Sequence, residues 1–309
     1  MLVLGGGSNM LVSDAGFDGV VIAMAQRGIE LSIRGSVACL CAAAGEPWDE
    51  LVAMTVERDL AGLECLSGIP GLVGATPIQN VGAYGQEVAH CISSVRVLDR
   101  KTLRVSNIDA GDCGFEYRSS AFKRDPERCV VMAVTFSLQL GGEPSITYAE
   151  LQQALLTHGT AHTLSSVRQT VLGLRGEKSM LLDGNRNPPH SAGSFFTNPI
   201  VSAADAERVV QQAVREGLVA RPDDVPRYPA RDGKVKLAAG WLIERAGFSK
   251  GERRGAVGIS ARHALSLVHH GGGTSAALIA LAREVHHRVR DRFGVELSLE
   301  PVLVGFDAG

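Results

Sequence analysis

The chain is 309 residues long, 45% hydrophobic and 21% charged, with a formal net charge of −2. That is ordinary globular composition with room for two or three domains. The near-neutral balance removes any electrostatic reason to expect nucleic acid or an anionic membrane, and the apolar runs are too short and too broken by Gly and Pro to span a bilayer.

The opening "MLVL" reads as a buried strand that runs at once into "GGGSN", residues 5–9. A doubly apolar strand normally pairs with earlier elements, so the expectation is a natural start upstream or a start codon assigned late. No secretory leader is read before it. After the turn "DAGFDG", the segments "GVVIAMA" and "SVACLCAAA" read as short strands. "EPWDELVAMTVERDL" predicts a helix, with Pro47 in its first turn, acidic residues early and apolar residues at helical spacing. "AGLECLSGIPGLVGATPIQNVGAYGQEV" is long, punctuated by Gly and Pro and mostly uncharged, which predicts a functional loop system.

"SVRVLD", "LRVSNID" and "CVVMAVTFSLQL" then read as strands, and "YAELQQALLTHG" and "SSVRQTVLGLRGEKSM" as helices. The segment "LLDGNRNPPHSAGS", rich in Asn, Gly and Pro, predicts a domain boundary. Beyond it come helices at "AADAERVVQQAVREGL", "LAAGWLIERAG" and "SAALIALAREVHHRVRDRFG", with strands at "ALSLVHH" and "VELSLEPVLVGF". The order lacks the regular strand–helix alternation of a Rossmann fold, so the class is α+β.

The six cysteines, Cys39, Cys41, Cys65, Cys91, Cys113 and Cys129, form no CxxC pair and have no His at zinc spacing. They read as reduced core residues of a cytosolic protein. The adjacent pairs His269–His270 and His286–His287 point in different directions from any helix or strand, so no shared metal is expected.

Glycine is the unusual residue, at 36. Gly5, Gly6 and Gly7 followed by Ser8 and Asn9 are not the dinucleotide fingerprint, because Met10 stands at the third glycine position and a strand comes next. A nest of N–H groups for a pyrophosphate and a plain tight turn both remain open. The second loop system offers Ser67, Gly68, Ile69, Pro70, Gly74, Ala75, Gln79, Asn80, Gly82, Ala83 and Tyr84. Two such loops suit a dinucleotide held mainly by backbone hydrogen bonds, with a purely structural loop as the alternative.

In "CGFEYRSSAFK", Arg118 stands beside Tyr117, Ser119, Ser120 and Lys123. Its planar fork suits a carboxylate or a developing enolate, and a surface arginine beside a phenol is the other reading. Glu300 precedes Pro301 inside an apolar run. A carboxylate there must be paired or protonated, for chemistry or as a core salt-bridge partner. Ser194, in "SAGSFFTNP", has no GxSxG elbow and no triad, which argues against a nucleophile. It is either a satisfied turn residue or a proton donor to a carbon.

Six segments in order, "LGGGSN", "GLECLSGIPGLVGATPIQNVGAYGQEV", "CGFEYRSSAFK", "AGSFFTNP", "KLAAGWLIERAGF" and "LEPVLVGF", resemble the UDP-N-acetylenolpyruvoylglucosamine reductases over nearly the whole chain. The resemblance implies an FAD-binding domain of the vanillyl-alcohol-oxidase type, made of two α+β subdomains, plus a C-terminal α+β substrate-binding domain. The boundaries it implies are 1–15, with the strand at 300–309, as a remnant of the first subdomain, 16–183 as the second, and 184–299 as the substrate domain. The family normally carries several dozen residues before "LGGGSN", so the first subdomain would be truncated.

The implied activity is reduction of UDP-N-acetylglucosamine enolpyruvate to UDP-N-acetylmuramate, with FAD as cofactor and NADPH as reductant, by a cytoplasmic monomer of peptidoglycan synthesis. Ser194 would be the proton donor, Arg118 would polarise the substrate carboxylate, and Glu300 would complete the acid and electrostatic set. Tyr148, in "PSITYAEL", resembles the tyrosine of the first type's substrate loop; Tyr117, Lys178 and Asn198 would also meet the substrate or nicotinamide. Thr197 departs from the family, where lysine is common. The alternatives are a flavin oxidase of the same fold with another substrate, and a truncated UDP-sugar-binding chain that does not turn over.

Overall fold

The computed structural model describes residues 1–159, 161–181 and 190–306. Most of the expected boundary segment, residues 182–189, and the last three residues of the closing segment lie outside the described residues. The architecture is α+β, in two compact units: Met1–Ser8 with Gly19–Gly184, and Asn9–Asp18 with Asn185–Gly309.

The first unit is organised by an antiparallel sheet in the order Val105–Asp109, Ile92–Asp99, Cys129–Leu140, Val37–Ala43, Ile29–Arg34, with Leu60–Ala61 also pairing to the long strand. Alternation sets its buried face: Ala38, Leu40 and Ala42 are buried while Val37 and Cys39 are exposed, and Leu40 sits opposite Phe136. Onto this face packs the helix Trp48–Glu57, whose buried residues Trp48, Leu51, Val52 and Thr55 follow the helical stripe. Pro47 caps it in extended conformation, with Asp49 and Glu50 in the first turn. The Trp48 ring lies 5.9 Å from Phe136, and its indole N–H donates to the Leu66 carbonyl at 3.1 Å. The helices Ala149–His158 and Leu164–Glu177 close a smaller core of Cys65, Tyr84, Leu151, Leu155, Val167 and Val171.

The opening strand, Leu2–Leu4, pairs in parallel with Val21–Ala23 but is half-buried, and Val21–Ala23 is exposed. The expectation of a buried strand fails because, among the described residues, these two strands pair only with each other, which leaves one edge of each without a neighbouring strand. The strand Ile29–Arg34 was not legible: its apolar residues Ile29 and Ile33 point outward.

The second unit packs Phe195, Phe196, Val209, Leu242, Phe248, Val285, Val289 and Phe293 into one core. It contains a four-stranded sheet, His190–Ser191, Leu267–His269, Val257–Ile259, Arg253–Arg254, and a three-stranded one, Ile200–Val201, Val235–Leu237, Arg227–Pro229. The expected helices are present as Ala203–Arg215, Ala239–Arg245 and Ser275–Phe293. Residues 9–18 belong here because Met10–Val12 pairs in parallel with Val302–Val304 and Asp14 accepts from the Ser275 and Ala276 N–H groups at 2.8 and 3.0 Å. Asp14 thereby meets the positive end of the longest helix, and those hydrogen bonds hold its carboxyl below the usual range.

All six cysteines are free, yet only Cys65, Cys91 and Cys113 are buried. Cys39 is exposed because it lies on the outer face of its strand, so the expectation of six core thiols holds for three. No described helix is long and apolar enough to cross a membrane.

Candidate functional site

The two glycine loops of the first unit meet. The Ser8 hydroxyl donates to the Pro70 carbonyl at 3.1 Å. A Cβ at Gly6 would come within 2.7 Å of the Gly71 Cα, and Gly71 itself has φ +119, so this approach demands glycine on both sides. Gly5 lies against Ala75, and Gly5, Gly6 and Gly7 are exposed. Exposed glycine backbone beside a serine hydroxyl, with no acidic side chain in residues 5–8 or 67–75, fits an extended anionic group such as the pyrophosphate of FAD.

The second loop is anchored from below. The Gly68 N–H donates to Asp49 Oδ1 at 2.6 Å, and Arg168 grips the same carboxylate at 2.6 and 2.9 Å. Burial pushes the Asp49 pKa up, but the Arg168 hydrogen bonds and the Gly68 N–H outweigh it and hold the carboxyl below its ordinary value. The Ser67 hydroxyl is spent on the Glu64 carbonyl at 2.6 Å. Gly74 packs so closely on Ala44 that a Cβ would overlap it.

A second cluster forms around the hairpin Gly82–Ala83/Gln86–Glu87. Arg118 donates to the Gly82 carbonyl at 2.5 Å, stacks 5.3 Å from the Tyr117 ring, and has its own carbonyl held by Lys123 Nζ at 3.1 Å. Tyr84, at the hairpin tip, is buried, meets Tyr148 edge-on at 5.7 Å, and carries Lys178 Nζ 5.5 Å from its centroid. Burial pushes the Tyr84 phenol up to about 12, with Arg175 opposing. Lys178 is pinned by Glu150 at 2.6 Å. Both amide hydrogens of Asn80 go to protein, to Glu87 Oε2 and the Glu116 carbonyl at 2.9 Å each. Of the seven non-glycine residues at positive φ among the described residues, three belong to this cluster: Asn80 (41), Tyr84 (48) and Arg118 (53). Each such conformation costs about 1–3 kcal/mol and survives only where neighbours over-determine it, which marks the cluster as built rather than incidental.

In the second unit, the bend at Ser194 is fixed by the residues immediately after it. The Phe195 N–H donates to the Leu265 carbonyl at 2.7 Å, and the Glu300 N–H donates to the Phe195 carbonyl at 3.0 Å. The Thr197 N–H continues the pairing to the Ser298 carbonyl at 3.0 Å, and Phe195 and Phe196 anchor it in the core. Ser194 and Glu300, 106 positions apart, therefore sit at one end of a short two-chain ladder. Both are half-buried, so Glu300 is not sealed in the apolar run as expected: Leu299 and Val302 beside it are exposed. Asn9 joins this pair rather than the glycine nest, its side chain donating to the Glu300 carbonyl at 3.3 Å. Asn198 accepts from the Ala239 N–H at 2.9 Å and so caps the helix Ala239–Arg245.

Sequence reasoning missed the supports. Asp49 and Arg168 hold Gly68, Glu150 holds Lys178, and Glu64 is a fully buried carboxylate in the loop described as mostly uncharged. An acid in "AGLECLSGIPG" was the visible signal for the last. The Asp49–Arg168 pair, 119 positions apart, carried none.

Comparison with known proteins gives two family-model matches. Residues 185–304 match the C-terminal domain of UDP-N-acetylenolpyruvoylglucosamine reductase, and residues 1–105 match an FAD binding domain. The UDP-N-acetylenolpyruvoylglucosamine reductase of Saccharopolyspora erythraea is 50% identical over 98% of this chain and 84% of its own length. The protein of the same name from Streptomyces avermitilis is 49% identical over 99% of this chain and 84% of its own. Among solved structures, the crystal structure of UDP-N-acetylenolpyruvylglucosamine reductase from Thermus caldophilus matches with a TM-score of 0.62 at 23% identity, over 98% of this chain and 84% of that one. That last likeness speaks for the fold.

Proposed function

The chain belongs to the UDP-N-acetylenolpyruvoylglucosamine reductase family, and from that premise we propose how its own residues carry the reaction. It is an oxidoreductase with an FAD-binding domain that reduces UDP-N-acetylglucosamine enolpyruvate to UDP-N-acetylmuramate. NADPH is the reductant in this reading, the setting is peptidoglycan precursor synthesis in the cytoplasm, and the working form is the monomer. Bound FAD would supply the redox chemistry, the hydride equivalent that passes from NADPH to the enol ether's C=C bond.

The exposed Gly5–Gly7 backbone and the Ile69–Leu72 turn that faces it hold the cofactor's pyrophosphate, while the Gly68, Val73, Gly74 and Ala75 N–H groups are spent on protein acceptors and stiffen the loop. Arg118 meets the substrate carboxylate, where negative charge gathers as the α-carbon becomes carbanion-like. Its guanidinium is already oriented by Gly82 and Tyr117, so little reorganisation is required at the moment of reaction. Glu300 completes the electrostatic set, and Ser194 gives its hydroxyl proton to the α-carbon, fixing the lactyl stereocentre. Tyr148, Tyr117, Lys178 and Asn198 contact the UDP-sugar.

The observation that supports this reading is the Phe195–Glu300 backbone hydrogen bond, which ties the chain next to Ser194 to the chain at Glu300 on a core-anchored ladder. The test is anaerobic flavin spectroscopy of Ser194→Ala. NADPH should still bleach the flavin band, while reoxidation by substrate slows by about 10²- to 10⁴-fold, the usual worth of a positioned proton donor. Loss of bleaching by NADPH instead would remove Ser194 from the role of proton donor.

A further inference from the structure

Glu64 is 1% exposed, yet its carboxylate is met by neutral donors. Oε2 accepts from the Gly62 N–H at 2.8 Å; Oε1 accepts from the Ser145 N–H at 2.8 Å and from Gln86 Nε2 at 3.1 Å. Gln86 in turn accepts from the Cys65 N–H at 3.0 Å, so the two side chains form a closed circuit of buried hydrogen bonds. All three groups on the carboxylate are donors, which suits an acceptor-only side chain and leaves it no idle oxygen.

The three segments it joins are far apart in sequence and each leads to a residue of the candidate site. Residues 62–68 run into the loop anchored at Gly68. Gln86 lies in the hairpin that presents Tyr84. Ser145 begins the stretch that carries Thr147 and Tyr148, which has no helix or strand of its own before Ala149. That stretch is held from beneath by Glu64, with the Cys65 thiol donating to the Ser145 carbonyl at 3.0 Å. The hairpin tip touches it directly: Gly85 has no room for a Cβ against Thr147, and the Tyr84 and Tyr148 rings meet edge-on.

We propose that Glu64 is a positioning residue that locks the cofactor loop, the Tyr84 hairpin and the Tyr148 segment into one register, so that the substrate tyrosine is preset relative to the loop that holds the flavin. The functional half of this rests on the reading of Tyr148 as a substrate contact. Loss of the circuit leaves buried donors facing one another, and because the Tyr148 segment has no ladder to fall back on, it is the part that loosens.

The test uses the holoenzyme with Glu64→Gln, Gln86→Glu and the exchanged pair E64Q/Q86E. Three readouts are compared: melting temperature, amide hydrogen exchange of residues 82–87 and 143–148, and KM against kcat for UDP-N-acetylglucosamine enolpyruvate. Gln86→Glu sets two carboxylates face to face; exchange in both segments should rise about tenfold or more, and KM about tenfold, with kcat changed less than about threefold. The exchanged pair again places a donor opposite an acceptor and should restore protection of 82–87. Unchanged exchange in both segments of folded single variants overturns the proposal, as does a folded exchanged pair that leaves 82–87 unprotected. Faster exchange with an unmoved KM upholds the positioning role and removes Tyr148 from the substrate contacts, so the two readings fail separately.

Discussion

Single residues show where chemistry and support part company. Lys178 reads as a cation for the substrate, but Glu150 holds it at 2.6 Å, with 30% and 39% of the two side chains exposed. A pair so exposed is worth only about 0–1 kcal/mol, and salt weakens it further. A phosphate arriving at Lys178 must displace that carboxylate or share the ammonium with it. We therefore expect Glu150→Gln to lower KM for the UDP-sugar by about two- to fivefold at low ionic strength, the gain shrinking at high salt. Steady-state KM at two ionic strengths decides; a rise in KM would show Glu150 to be Lys178's guide and not its competitor. Such couplings were beyond the sequence. Glu150 lies in one helix and Lys178, 28 positions on, just past the end of another, and no helical period selects the partner. Ser194 was more legible, because two phenylalanines after a glycine announce a bend driven into a core, and Phe195 and Phe196 are buried as that pattern demands.

Elements were legible where one face is buried over several turns or rungs. Trp48–Glu57 and Cys129–Leu140 follow from apolar spacing alone, whereas the two-residue strands Gly82–Ala83 and Gln86–Glu87 are too short to show any period. What positions such short pieces is side-chain bonding to a longer element, and the Asp49 carboxylate is the clearest case. It projects from the first turn of a well-formed helix, reaches the Gly68 N–H, and is closed off by Arg168 from the helix Leu164–Glu177. Because its folded pKa lies below the ordinary 3.8, its stabilisation is present above that pH and is lost as pH falls through the lowered value. Arg168→Met should lower the melting temperature by about 2–4 °C per kcal/mol lost at neutral pH, and the gap from the parent should close in acid as the parent's own clamp is protonated. Flavin affinity should fall with it, because Gly68 loses its fixed partner. Differential scanning calorimetry across pH 2–7 checks the first two; a gap constant down to the lowest pH would mean that Arg168 acts by packing, not by charge.

At the scale of the whole molecule, the two largest apolar cores among the described residues account for the α+β order that the sequence suggested, one beneath an antiparallel sheet and one around the helix Ser275–Phe293. The assignment of residues 9–18 to the second was hidden, since it rests on a three-residue parallel pairing and on Asp14 capping a helix some 260 positions later. The thiols test how well the cores of the first unit are sealed. Burial pushes Cys65 up to about 12 and Cys91 to about 11, with the Glu64 charge adding to both, and burial with Asp112 and Asp109 takes Cys113 to about 11. The thiolate is the reactive form, and two units above the ordinary thiol value cut its population roughly a hundredfold before access is counted. In the native protein at pH 8, a disulfide-exchange reagent should modify Cys39 first and the half-buried Cys41 and Cys129 more slowly, leaving Cys65, Cys91 and Cys113 for the denatured chain. Peptide mapping by mass spectrometry identifies the sites. Modification of Cys65 at the rate of Cys39 would mean that the core under Tyr84 opens readily, and the register that Glu64 is proposed to hold would then have no rigid floor to rest on.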